Sequence, residues 1–170
     1  MKKWIWILIL SLVLCGCGSE ELPVLETVGP VACEPASKPE PGQIGVTIPE
    51  QAVAQTMTDG GSGQLYTWDG NTLHLQTLDS GDIRNTLTEL TGFSYEDLTV
   101  MQYEKNDMTY YQTVWSTAGE DGTFLGRALI ADDGYYHYCI SLLSPEEADV
   151  QNLYDQMCAT FSVKSGDDGK

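Results

Sequence analysis

What the chain lacks narrows it first. Basic residues are scarce: 8 Lys and Arg stand against 25 Asp and Glu, a formal charge of −17 over 170 residues. Nucleic-acid binding rests on neutralising phosphates with Lys and Arg, and anionic headgroups attract basic segments, so the charge argues against both partners. The HExxH, GxSxG, P-loop and GxGxxG patterns are all missing. Histidine is limited to His74 and His137, and neither has a second His at ligand spacing. The acidic triplets Glu120-Asp121-Gly122 and Asp132-Asp133-Gly134 are too short for an EF-hand loop and read as turns. No cofactor and no metal site are therefore expected. The excess of acid serves solubility and self-repulsion; its sharper alternative is weak binding of a cation such as Ca²⁺ at an envelope surface.

Long apolar runs are also missing. Residues 4–14, WIWILILSLVL, follow Met1-Lys2-Lys3 and fall short of the ~20 residues that a membrane span needs. A short positive segment followed by such a run has the form of a signal peptide. Its end, Leu14-Cys15-Gly16-Cys17, resembles a bacterial lipobox with Cys17 as the lipidated residue. Placing the lipid on Cys15 would put Leu14 where the signal peptidase needs a small side chain. The expectation is cleavage after residue 16 and a diacylglyceryl thioether on Cys17. Two acyl chains, at ~0.8 kcal/mol per buried CH₂, hold a protein on a membrane far more firmly than one. Loss of Lys2 and Lys3 takes the formal charge from −17 to −19. The expected location is the extracytoplasmic side of the cell membrane.

Three other cysteines remain, Cys33, Cys139 and Cys158. The compartment permits disulfides, and an odd count leaves one over. Cys139 and Cys158 fall in structured segments, so they are the expected pair. A bridge of that span contributes ~3 kcal/mol in the loop-entropy model. Two packed thiols are the other reading.

Six of the seven prolines lie in residues 17–50, and Tyr and Trp are absent between residues 7 and 65. Such a segment builds no core and reads as an extended tether, able to reach on the order of 100 Å if wholly polyproline II. Residues 51–164 then form one domain, and 165–170 a disordered tail. GQLYTWDGNTLHLQTL predicts a hairpin turning at Asp69-Gly70. SGDIRNTLTELTG predicts a helix capped by Ser80 and ended by Gly92. Runs at 98–104, 108–117, 123–131 and 134–143 are joined by links too short for a parallel crossover, so they predict an antiparallel meander. SPEEADVQNLYDQMCATF predicts a helix with Ser144 as N-cap, Pro145 at N1 and Glu147 completing a capping box. Residues 134–143 carry apolar bulk on both alternating faces, so one helix should cover each face of the sheet. The fold class is α+β.

The run RALIADDGYYHYCISLL leading into SPEEADVQNLYDQMCATF, in the order hairpin, helix, meander, C-terminal helix, resembles the PsbP/Mog1-like α/β/α sandwich. The resemblance spans about 110 residues, in topology and texture rather than motif. It implies a non-enzymatic accessory or binding module and carries no functional residue over.

Candidate residues follow from type alone. Strand aromatics usually pack in a core, but Tyr66, Trp68 and Tyr135, with His137, are the candidates for a surface that stacks on a glycan or peptide. The partner expected is a protein or a cell-wall component, besides the membrane reached through Cys17. The enzymatic alternative gathers His137, the Arg127 strand and the Asp132/Asp133 turn for acid–base work.

Overall fold

The computed structural model describes residues 37–57, 63–119 and 122–164. Cys17, Cys33, the Glu120-Asp121 pair and residues 165–170 lie outside that set. The described residues run through strands β1 (Gln43–Gly45), β2 (Val53–Gln55), β3 (Gln64–Trp68) and β4 (Asn71–Asp79), and then helix α1 (Ile83–Thr91). Strands β5 (Thr99–Lys105), β6 (Met108–Gly119), β7 (Gly122–Asp132) and β8 (Tyr136–Ser144) follow, then helix α2 (Glu147–Thr160) and strand β9 (Ser162–Lys164). Neither helix is long and apolar enough to cross a membrane.

Seven strands form one antiparallel sheet in the order β2-β3-β4-β8-β7-β6-β5. The expected hairpin and meander are both present, and they join where β4 pairs with β8, Leu73 opposite Leu142 and Leu75 opposite Ile140. The tight hairpins have local causes. Asp69 and Gly70 both take positive φ, 45° and 79°, which a type I′ turn requires and this pair tolerates. Asn106 and Asp107, at φ 52° and 61°, do the same between β5 and β6. At the β7–β8 turn, Asp133 Oδ1 accepts the N–H groups of Tyr135 (2.8 Å) and Tyr136 (2.7 Å), while its Oδ2 accepts the Tyr138 hydroxyl at 2.9 Å.

One helix lies on each face, as period-2 reading of β8 requires. On the first face, Tyr138, Ile140 and Leu142 pack with Leu73, Leu129, Val150, Tyr154 and Met157 of α2. On the second, Cys139 and Ile130 pack with Leu87 of α1. Val150, Met157 and Leu87 are each at least 97 % buried. Burial of each contributes an upper-bound ~1.5–3 kcal/mol, and this anchors the helices.

Helix ends differ from expectation at both N-termini. Asp82, not Ser80, caps α1 by accepting the Arg84 N–H at 3.0 Å. Ser80 instead donates to Asp132 Oδ1 at 2.9 Å. Gly92 closes α1 in the left-handed region at φ 77°, as expected. For α2 the expected capping box is not formed. Ser144 is drawn into the last pairing of β8, opposite Leu125, and its hydroxyl binds the Glu146 backbone. The helix therefore begins at Glu147, with Glu146 at the cap position and no side-chain capping bond.

The expected boundary at residue 51 is also corrected, because the compact unit begins at Ser37. Residues 43–45 pair with 162–164, and Ile44, Val46 and Ile48 pack on the first-face core. Gly42 N–H donates to the Tyr138 hydroxyl (3.1 Å), Tyr136 donates to the Pro39 carbonyl (2.7 Å), and Lys38 pairs with Asp79 while lying over the Tyr136 ring. The proline content hid this strap, because its apolar residues are few and spaced. It enters the unit at the end of the sheet that holds Asp79 and Tyr136.

Candidate functional site

The candidate residues named from sequence do not converge. Trp68 is 6 % exposed and belongs to the first-face core. Tyr66 is half-buried against that core and donates to Gln64 Oε1 at 2.9 Å. Tyr135 is 48 % exposed, at the β7–β8 turn. Trp68 pairs with Asn71 and Tyr136 with Asp79, at opposite ends of β4, so Trp68 and Tyr135 stand roughly 25 Å apart at ~3.3 Å per residue. They form no common stacking surface.

His137 is fully buried beneath α1. Its Nδ1 lies 2.8 Å from Thr86 Oγ1, and its Nε2 lies 3.5 Å from both Ser80 Oγ and Asp132 Oδ2. This is not a relay of nucleophile, base and orienting acid. That arrangement needs the hydroxyl and the carboxylate on opposite ring nitrogens, whereas here both crowd Nε2 and bond to each other. Arg127 does not join the group. It pairs with Leu142, an alternation that puts it on the α2 face, while Cys139 and His137 share the α1 face. Asp133 spends both oxygens on the turn and on Tyr138. Of the enzymatic grouping, His137 and Asp132 come together, while Arg127 and Asp133 stand apart from them.

The Cys139–Cys158 bridge is likewise corrected, since both thiols are free. Cys139 packs with α1 on one face and Cys158 rides on α2 over the other. A sheet stands between them, and a disulfide requires Cα atoms within about 7 Å. Burial pushes the Cys139 thiol up to about 12. Burial raises Cys158 as well, with Asp155 adding to it and the Tyr154 hydroxyl and Arg127 opposing it. Among the described residues no cluster of three or more His, Cys, Asp or Glu could hold a metal ion.

The concave surface of this unit lies elsewhere, beside α2. A cleft of about 810 Å³ opens between the first turns of α2 and the middle of β6 and β7. Val114, Leu125 and Arg127 line its floor, and Glu147, Val150 and Gln151 its wall. A second depression of about 130 Å³ continues it toward β5, lined by Met101, Gln112, Val114, Arg127 and Tyr154. The cause is one of coverage. Helix α2 packs chiefly over β7 and β8, and the sheet runs on past it through β6 to the edge strand β5. Met101 (60 % exposed), Val114 (48 %) and Tyr103 (41 %) are left uncovered there. The Tyr103 ring stacks on Tyr110 at 5.1 Å, and Tyr110 meets Phe161 edge-on.

Arg127 sits where the two depressions meet. Its guanidinium lies 5.3 Å from the centre of the Tyr154 ring, and the Tyr154 hydroxyl donates to the Ala128 carbonyl at 3.1 Å, which fixes the ring. Among the described residues no carboxylate comes within 4.0 Å of it. On α2, Asp155 accepts from Gln151 Nε2 at 2.7 Å. Sequence reasoning placed Arg127 on a strand but missed its face. The usable signal was alternation along β7, where Leu125, Arg127, Leu129 and Ala131 share one side. The cleft itself had no sequence signal, because it depends on how far α2 reaches across the sheet.

No protein-family model matches the chain, and no curated sequence matches it. Among solved structures it is similar to the crystal structure of LpqN, described as involved in cell envelope biogenesis of Mycobacterium tuberculosis. The TM-score is 0.48 at 9 % identity, over 74 % of this chain and 86 % of that one. A likeness of that size transfers neither a residue nor a role.

Proposed function

We propose that the chain is a lipid-anchored, extracytoplasmic binding module of the cell envelope, without catalytic activity of its own, and that it binds in the cleft beside α2. The observation that carries this reading is the cleft. Its volume lies in the range of small-molecule sites, it is open, and it joins apolar floor residues to a few charged ones. The anchor rests on Leu14-Cys15-Gly16-Cys17 following the apolar run. The PsbP/Mog1-like arrangement, with a helix on each face, belongs to the same reading as its fold and favours an accessory role by analogy alone.

The cleft and the described start of the strap lie toward different ends of the sheet. The strap from residue 37 runs beside Asp79 and Tyr136, whereas Leu125 lies opposite Ser144 at the other end of β8 and Glu147 follows that end in the chain. At ~3.3 Å per residue the two ends of β8 are roughly 25 Å apart.

Two variants test the reading. Cys17→Ser should move the protein from the detergent phase to the aqueous phase in Triton X-114 partitioning. Ala148→Trp, at the mouth of the cleft, should abolish binding of N-phenyl-1-naphthylamine, a neutral apolar probe, while the circular dichroism spectrum stays unchanged. Retention of Cys17→Ser in detergent removes the anchor. Probe binding that survives Ala148→Trp, or is absent from wild type, removes the cleft as the binding site.

A further inference from the structure

We propose that the natural ligand of the cleft is an apolar molecule bearing a single anionic oxyacid group, and that Arg127 grips that group. This rests on the cleft being the binding site. Arg127 is half-buried at the meeting point of the two depressions. It is one of only 8 basic residues in the chain, against 25 acids. In so acidic a protein a half-buried cation would be expected to hold a carboxylate, and it holds none within 4.0 Å among the described residues. The guanidinium carbon lies 5.3 Å from the centre of the Tyr154 ring, a cation–π contact that does not itself occupy the N–H donors. A planar fork of this kind matches a carboxylate or phosphate oxygen pair.

The surroundings set the rest of the ligand. Val114, Leu125 and Val150 offer apolar contact on the cleft side, and Met101 extends it. Glu146 and Glu147 line the cleft beside them. They repel a molecule with several negative charges and tolerate one whose single charge is delivered to Arg127. The same acids, with the overall charge of −17, disfavour a second copy of this chain as occupant.

The test uses the chain lacking residues 1–17 and two probes with one aromatic body. 8-Anilinonaphthalene-1-sulfonate carries one sulfonate; N-phenyl-1-naphthylamine carries none. Arg127→Gln should weaken the sulfonate probe at least tenfold and leave the neutral probe within twofold, with Lys105→Gln changing neither. Displacement of the sulfonate probe by 4-phenylbutyrate assigns a carboxylate, and by diphenyl phosphate, a monoanionic diester, a phosphoryl group; displacement by neither overturns the proposal. Equal effects of Arg127→Gln on both probes, or no effect on either, also overturn it. If Ala148→Trp still abolishes the neutral probe in those cases, the cleft stands and only the grip on the anion falls. If Ala148→Trp abolishes nothing, the cleft itself is wrong.

Discussion

Gly126→Ala is the sharpest stability test, because simple rules predict the opposite sign. Glycine inside a strand ordinarily costs ~0.5–1 kcal/mol relative to alanine, so the substitution should help. The structure places Gly126 directly opposite Trp115. A Cβ on residue 126 would sit 2.1, 2.4 and 2.6 Å from three atoms of that indole. Carbon contacts settle at ~3.5–4.0 Å, so the ring must move by more than an ångström. Trp115 is only 9 % exposed and sits in a central strand paired on both sides. An off-rotamer indole costs about 0.5–1.5 kcal/mol and local overpacking a further 1–3. Less the backbone gain, the net loss is about 2 kcal/mol, or roughly 8 °C in melting temperature for a unit of this size. Urea denaturation followed by circular dichroism measures it. In a Trp115→Ala background the clash is gone, and Gly126→Ala should become neutral or stabilise by up to ~1 kcal/mol. A stabilising effect in wild type, or the same loss in both backgrounds, would refute the close packing of Trp115 on Gly126.

Other consequences follow from single groups. Asp133→Ala removes three hydrogen bonds at the β7–β8 turn and should cost about 2–3 kcal/mol by urea denaturation; Asp133→Asn should recover part of it. In a Cys33→Ser form, dithiothreitol should leave the melting temperature unchanged, since Cys139 and Cys158 are unpaired; a fall would show a bridge. The Cys139 thiol ionises at about 12 in the folded chain against 9.0 ordinarily, because of burial. Between those values the unfolded chain releases a proton that the folded chain retains. Stability should therefore fall as pH rises above about 9, by up to ~1.4 kcal/mol per pH unit from this group. Cys139→Ala should flatten that slope, and an unchanged slope would assign it to the tyrosines. Burial lowers His74, with Glu89 opposing it; its proton resonances should titrate below the ordinary 6.5, and a midpoint above that would refute its burial.

Much of the fold was legible because its causes are local. The Asp69-Gly70 turn, the Gly92 stop and the short links of the meander each follow from backbone chemistry over two to five residues. The errors share a different cause. Ser80 and Ser144 are good caps taken in isolation, but Asp132 claims one hydroxyl and the end of β8 claims the other residue. Residues 37–50 read as tether because their hold on the unit comes through partners about 40 to 120 residues away, such as Asp79, Tyr138 and Ser162. Cys139 and Cys158 seemed suited to pair because both lie in regular elements, and the sheet that separates them is invisible in their spacing.

By themselves, the residues determined the order of β3 to β8 and the two helices, the antiparallel meander and the need for a cover on both faces of β8, but not the short strands β1, β2 and β9. Those properties depend on period, turn chemistry and link length, which neighbours in the chain settle among themselves. Only the tertiary structure decided that β4 joins β8, that His137 and Arg127 face opposite ways, and that α2 stops short of β5. The last of these leaves Met101, Val114 and Arg127 lining a cleft. The extent of a helix across a sheet is set by how whole surfaces pack, and no short stretch of sequence contains that information.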